Sequence, residues 1–256
     1  MNRPYIRRCK FAFDTGNLVT DSHPCFLLEY KVHDGAARRR IRAPEFGGRF
    51  REMLTLYYSP GACSMGAHIV LEESGEKYEG KKVNLAAGEQ RTEEYLKIHP
   101  LGRVPALRLD NGDPLAENTA ILPYLGKRFD LWPKDPLADA KALSLIGFFA
   151  SNVHPAHAHV GRPERYTADT TAFPGIKEAG LKTFHGYLKQ IDGMLANREW
   201  FSDRYSVLDP YGFVFYVWGV RRELPMGELK NYTAFKDRML KRPAVGRVAE
   251  DEKIKV

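Results

Sequence analysis

The chain has 256 residues, of which 43% are hydrophobic, so it can form one large domain or two ordinary ones and is not wholly disordered. No stretch reaches the roughly 18 consecutive apolar residues that span a bilayer, and three cysteines are too few for a disulfide framework, so we expect a cytoplasmic protein without a membrane span. The net charge of +7 is concentrated in residues 1–52, which hold 11 Lys and Arg against 6 Asp and Glu. The remainder of the chain has a net charge of +2 and no cluster of basic and aromatic residues, which argues against nucleic-acid binding.

Residues 1–52 differ in pattern from everything that follows them. Their apolar residues are scattered, and glycine and proline break any periodicity before Met53. We interpret them as a basic, flexible extension that the fold does not need. A targeting arm is the alternative, although Asp14, Asp21 and Glu29 argue against a transit peptide of the mitochondrial type.

The next 80 residues alternate between strand and helix signals. Short apolar, β-rich runs predict strands, amphipathic runs predict helices, and Asp110-Asn111-Gly112 predicts a hairpin turn. The predicted order is a strand at 53–58, a helix at 64–75, a strand at 78–85, a short helix at 91–99, strands at 104–110 and 112–117, and a helix at 117–129. This order predicts a small mixed sheet with helices packed on it.

The second half of the chain has few strand signals. A linker at 132–137 contains Trp132 and two prolines, and helical patterns follow at 138–152, 175–195, 209–220 and 234–243. Ser206 and Asp209 have the spacing of a capping pair at the start of a core helix. Residues 138–256 are therefore predicted to form an all-helical domain.

Four motifs, in this order and spacing, resemble those of cytosolic glutathione S-transferases, and among these the bacterial beta class. They are YYSPGACS at 57–64, GRVPAL at 102–107, AENTAI at 116–121 and SVLDPYGFVF at 206–215. The resemblance covers residues 53–256. It implies an α/β thioredoxin-like glutathione-binding domain over 53–131, followed by the all-α domain, in a homodimeric enzyme. Such an enzyme conjugates glutathione, as a substrate, to small electrophiles in detoxification and needs no metal.

Cys63 follows the first predicted strand and stands at the mouth of the first helix. Helix N-termini stabilise a thiolate, so we expect a reactive catalytic cysteine with a pKa below that of a free thiol. The alternative is a buried structural thiol. Gly66 occupies the position of a second cysteine, which excludes a C-x-x-C cycle and leaves a mixed disulfide with glutathione. Thiol–disulfide or peroxide reduction that depends on Cys63 is therefore also possible.

The resemblance assigns four residues to glutathione binding. Val104-Pro105 resembles the family's cis-proline turn, which lets glutathione pair with Val104 as an added strand. Glu117 and Asn118 match the acidic and small polar residues that hold the γ-glutamyl end at a helix N-terminus. Asn118 departs from the usual serine.

His154 matches a histidine that lies near the catalytic sulfur in the beta class, and with a pKa near neutrality it could donate to a thiolate or shuttle a proton. A metal site with His157 and His159 is not indicated, because 159 does not share the helical face of 154 and 157 and Pro155 breaks regularity. Trp218 lies in an aromatic run whose main use is core packing, and it could also line the second-substrate pocket.

Two alternative functions remain open from the sequence. A zeta-type isomerase also has a cysteine near this position, but Met65-Gly66 follow Ser64 where that class carries Trp-Arg. A non-catalytic, dimeric ligand-binding or stress-response protein is the other alternative. It is favoured by Pro155 and Gly147, which replace a Lys and an Asn that commonly contact glutathione.

Overall fold

The computed structural model of the protein describes residues 53–255. The predicted extension at 1–52 therefore lies outside the described residues. The described part begins with a short mixed sheet and continues into a helical half. No helix in this part of the chain has both the length and the apolar character needed to cross a membrane.

The sheet has four strands in the order β2-β1-β3-β4. The central strand β1 is buried at all five positions, as its sequence LTLYY predicts, and it pairs in parallel with β2 and antiparallel with β3. The predicted hairpin joins β3 to β4 in antiparallel pairing. The strands are β1 Leu54–Tyr58, β2 Tyr78–Lys82, β3 Ala106–Arg108 and β4 Pro114–Ala116.

Three helices pack on this sheet, and local chemistry sets their ends. The first helix is followed by Gly75 in a left-handed conformation, a common C-terminal cap. Thr92 caps the second helix by accepting a hydrogen bond from the Tyr95 N–H through its side chain. The helices are α1 Ser64–Ser74, α2 Glu93–Leu96 and α3 Asn118–Arg128.

The second half is helical, as predicted, but two of its helices were not predicted. These are α5, which follows α4 through a single π-helical turn at Phe149–Val153, and α9. We expected Pro155 to break regularity. The wider turn before it accommodates a residue that has no N–H to donate, so the helix continues. The helices are α4 Pro136–Phe148, α5 His154–Gly161, α6 Phe173–Met194, α7 Leu208–Arg221, α8 Lys230–Leu240 and α9 Pro243–Asp251.

Helix α7 forms the centre of the core, and its residues 208–219 are all buried. The capping pair at its start is formed: the Asp209 carboxylate accepts the Ser206 N–H at 2.8 Å and the Phe201 N–H at 3.0 Å. Burial raises the pKa of Asp209 to about 7, against the lowering effect of these donors.

Helix α1 connects the two halves. It packs against α7 and α9, and Glu73 on α1 forms a two-pronged ion pair with Arg242 at 2.5 and 3.0 Å. The Arg242 guanidinium lies 3.5 Å from the centre of the Tyr205 ring. Helix α1, which Cys63 precedes, is thereby fixed against the helical half.

Candidate active site

Three of the residues assigned from the sequence come together at the start of α1. Cys63 is the residue that precedes this helix, and it is 8% exposed. Its thiol donates to the Val104 carbonyl at 3.2 Å, and the Asn118 amide donates to the Cys63 carbonyl at 3.0 Å. The cysteine, the loop before β3 and the first residue of α3 therefore form one site.

The loop before β3 has a tightly defined backbone. The Val104–Pro105 peptide bond is cis, and Gly102 has a φ of 58°. A Cβ at position 102 would lie 2.7 Å from the Gln90 carbonyl oxygen, so only glycine fits. The Tyr95 hydroxyl donates to the Arg103 carbonyl at 2.6 Å. These contacts hold Val104 beside the thiol.

The N-terminus of α3 offers polar groups to the same site. Glu117 has the unusual backbone angles φ 68° and ψ 130°, and its side chain is 53% exposed. Asn118 is buried, and its Oδ1 atom has no hydrogen-bond partner within residues 53–255. The site therefore contains an exposed carboxylate next to a buried amide oxygen without a donor among the described residues.

His99 faces Glu117 and was not identified from the sequence. Its Nδ1 accepts the Leu101 N–H at 3.3 Å, so the proton lies on Nε2, which is 3.9 Å from a carboxylate oxygen of Glu117. Burial lowers the pKa of His99. A histidine before Pro100 has no distinctive sequence signal; only the fold places it behind the acid.

The protonation state of Cys63 differs from our expectation. Burial raises the pKa of the thiol to about 12, and the nearby Arg162 and Arg103 guanidinium groups, which lower it, compensate only in part. The prediction of a lowered pKa is therefore wrong for this arrangement. The helix N-terminus does not overcome the desolvation of the buried sulfur.

His154 also differs from its predicted state. Burial lowers its pKa to about 4, and Arg162, Arg103 and Arg165 act in the same direction. The imidazole is therefore neutral near pH 7, and the expected pKa near neutrality is wrong. A neutral ring can still donate a hydrogen bond, but it does not supply a positive charge.

Trp218 lies beneath the turn that precedes Cys63. It is 4% exposed, its Nε1–H donates to the Gly61 carbonyl at 2.9 Å, and its ring stacks on His157 with centroids 4.1 Å apart. His154 packs against the ring edge at 5.0 Å. These contacts give Trp218 a role in packing and in holding the turn, and its additional role in a second-substrate pocket stays a prediction.

The remaining histidine of the run after 153 turns elsewhere. His159 stacks on Tyr166 with ring centroids 3.8 Å apart, whereas His154 and His157 both contact Trp218. Within residues 53–255 the structure shows no group of three or more His, Cys, Asp or Glu side chains arranged to hold a metal ion.

Three arginines give the site a positive potential that sequence reasoning missed. Arg103, Arg162 and Arg165 all act on His154, and the first two also act on Cys63. None of them has an ion-pair partner in the described part of the chain. Arg103 could have been found from its place inside GRVPAL, but Arg162 and Arg165 lie after α5 with no local pattern to mark them.

Comparisons of the sequence with known proteins point to the family that the four motifs resemble. The family model "Glutathione S-transferase, N-terminal domain" matches residues 52–127. The glutathione S-transferase GstA of Escherichia coli O157:H7 is 30% identical over 201 residues, which cover 75% of this chain and 95% of that protein.

Solved structures with a similar fold come from the same family. A glutathione transferase homolog from Sulfitobacter with bound glutathione has a TM-score of 0.74 and 31% identity, covering 79% of this chain and 99% of that one. A beta-class glutathione S-transferase from Sphingomonas chungbukensis has a TM-score of 0.69 and 32% identity, covering 77% and 98%.

The chain belongs to the glutathione S-transferase family and is a glutathione transferase. The resemblance to bacterial members of the family is confirmed, as is the fold of a thioredoxin-like domain followed by a helical domain. An enzyme is therefore favoured over the non-catalytic alternative.

Proposed function

We propose that the protein conjugates glutathione to small electrophiles, with the tripeptide bound across Val104 and the N-terminus of α3. The observation that carries this proposal is the convergence of Cys63, Val104 and Asn118 within 3.0–3.2 Å contacts. Homodimerisation and a role in detoxification, which the resemblance implies, are part of the same proposal.

The two ends of glutathione match groups on both sides of the thiol. Its backbone can pair with Val104 as an added strand. The γ-glutamyl ammonium can pair with the exposed Glu117 carboxylate, while its carboxylate meets the N–H groups of α3. The glycyl carboxylate is attracted by the positive potential of Arg103 and Arg162.

The proposed reaction is a nucleophilic attack by the glutathione sulfur. The thiol of glutathione loses its proton to solvent, and the thiolate forms a carbon–sulfur bond with the electrophile, whose leaving group departs with the bonding electrons. The arginines and the N-terminus of α1 stabilise the anionic sulfur. Cys63 is protonated near pH 7 and can act as a hydrogen-bond donor.

The burial of Cys63 favours conjugation over redox chemistry. A mixed disulfide requires the Cys63 thiolate as the nucleophile, and this species is rare at neutral pH when the thiol pKa is about 12. Conjugation needs only the glutathione thiolate. Reduction of disulfides or peroxides through Cys63 is therefore the second candidate function.

The test uses the full-length protein, titrated with glutathione by calorimetry and assayed with 1-chloro-2,4-dinitrobenzene. We expect saturable binding and conjugation, and Cys63→Ala should retain conjugation while abolishing any glutathione-dependent disulfide reduction. Light scattering reports the oligomeric state. Reduction without conjugation would favour the second candidate, and the absence of glutathione binding would overturn the proposal.

A matched pair of variants tests the binding geometry. Glu117→Gln removes the exposed carboxylate at α3 and should weaken glutathione binding about fivefold, which is the size of a partly exposed charge pair. Glu94→Gln, an exposed acid on α2, should leave the affinity unchanged. Equal affinities for the two variants would contradict the assignment of the γ-glutamyl site.

A further inference from the structure

The backbone N–H and C=O of Gly61, two residues before Cys63, are both held by hydrogen bonds. Its N–H donates to the Glu252 carboxylate at 2.6 Å, and its carbonyl accepts hydrogen bonds from Trp218 at 2.9 Å and from Arg221 at 3.1 Å. Gly61 has a φ of 68°, and a Cβ at this position would collide with the Arg221 guanidinium. The turn is therefore fixed at this one residue by residues far away in the chain.

Glu252 joins this turn to the helix that follows Cys63. Its side chain is completely buried, and its second carboxylate oxygen accepts from His68 Nδ1 at 2.8 Å. His68 lies on α1, a little more than one turn after Cys63. One carboxylate at the end of α9 thus connects the residues on both sides of the cysteine.

A buried carboxylate is costly unless both of its oxygens are used, and here both are. The contact fixes the angle between the turn at Gly61 and α1, which sets the direction of the Cys63 sulfur and of the helix N–H groups. Transfer reactions are sensitive to such alignment, because a displacement of about 1 Å can reduce the rate about 100-fold.

We propose that Glu252 is a positioning residue for the transferase reaction, acting through Gly61 and His68 on the turn that carries Cys63. This inference rests on the proposed conjugation of glutathione at that site. Trp218 extends the same network, because it contacts His154 and His157 on one side and the Gly61 carbonyl on the other. Glu252, directly after α9, thereby becomes part of the framework that positions the reactive groups.

Two substitutions at position 252 separate alignment from simple loss of packing. Glu252→Ala removes both acceptors. Glu252→Gln keeps an oxygen for the Gly61 N–H, and its amide can donate to His68 Nδ1 in the other tautomer. We expect Glu252→Ala to lower kcat/KM for glutathione 10- to 100-fold, mainly through kcat, and Glu252→Gln to stay within about threefold of the wild type.

The neighbouring residue provides the control. Asp251 also ends α9, and it accepts a hydrogen bond from the Tyr58 hydroxyl at 2.6 Å, on strand β1 and not on the turn. Asp251→Ala should lower the melting temperature and leave kcat within about threefold of the wild type. If Glu252→Ala does not fold, Trp218→Phe, which removes the hydrogen bond to the Gly61 carbonyl and replaces the ring that stacks on His157 with a smaller one, is expected to lower kcat in its place.

The experiment measures transferase kinetics, melting temperature and the rate of Cys63 alkylation by iodoacetamide, resolved by mass spectrometry of the full-length chain. Glu252→Ala should speed alkylation of Cys63 as the turn loosens, and Asp251→Ala should not. Equal losses of activity and equal alkylation in the two alanine variants would overturn the inference. If the wild type shows no conjugation, the proposed function fails, while the alkylation rates still report whether Glu252 fixes the turn.

Discussion

The thiol of Cys63 should react slowly with alkylating agents, and the structure sets the size of the effect. Burial raises its pKa from the ordinary value of 9.0 to about 12, which makes ionisation about 4 kcal/mol less favourable. At pH 8 about one Cys63 in 10,000 is a thiolate, against about a quarter of the molecules of a free thiol with a pKa near 8.5. Alkylation of Cys63 should therefore be about 2,000-fold slower than that of a short cysteine-containing peptide.

The assay follows carbamidomethylation of the Cys63 peptide by mass spectrometry between pH 7 and 9.5. A thiol with a raised pKa gives a rate that increases about tenfold for each pH unit without a plateau. A thiol that is slow only because reagent cannot enter gives a plateau above pH 9. Arg162→Gln should slow the reaction further, since this guanidinium lowers the thiol pKa, while Arg198→Gln, on an exposed loop of the helical half, should not. A rate within tenfold of the free peptide at pH 8 would refute the reasoning.

Three further predictions concern binding and stability. Arg162→Gln should weaken glutathione binding about fivefold in low salt and less at 300 mM NaCl, as measured by calorimetry, because its contribution is a screened charge interaction. Asp209→Ala should lower the free energy of unfolding in urea by about 3 kcal/mol, since it leaves two buried backbone N–H groups without an acceptor. A loss below about 1 kcal/mol would contradict the capping role. The pKa of His154 falls from 6.5 to about 4 on folding, so the unfolded chain binds more protons than the folded one between these pH values. The free energy of unfolding should therefore fall by about 3 kcal/mol as pH decreases from 6.5 to 4. Urea titrations of His154→Gln should show a smaller dependence of this free energy on pH.

The elements of the fold could be predicted where the signal is local. The run LTLYY, the hairpin turn before Gly112 and the glycine after α1 each specify a conformation through residues adjacent in sequence. Helix α5 could not be predicted in this way. The π-helical turn before Pro155 depends on Phe149, which packs against Phe201 and Tyr211 from other parts of the helical half.

The position of the reactive groups was predictable, but their protonation was not. The motif around Cys63 places a sulfur at a helix N-terminus, and the structure has it there. Its pKa depends on how completely the helical half encloses the sulfur and on Arg162, which comes from a connection about 100 residues away. Burial of this kind comes from tertiary packing, so the expectation from the helix dipole alone had the wrong sign.

The framework around the thiol comes from residues that no local motif connects. In the sequence, Gly61 follows a proline in a turn signal, Trp218 ends an aromatic run, and no pattern marks Glu252. Their hydrogen bonds span 157 and 191 positions in sequence. The motifs therefore identify which atoms can take part in the chemistry, whereas the turn before Cys63 is held by hydrogen bonds from the end of α7 and from Glu252 after α9. Substitutions outside the motifs, at the end of α7 or after α9, should consequently affect turnover as much as substitutions within them.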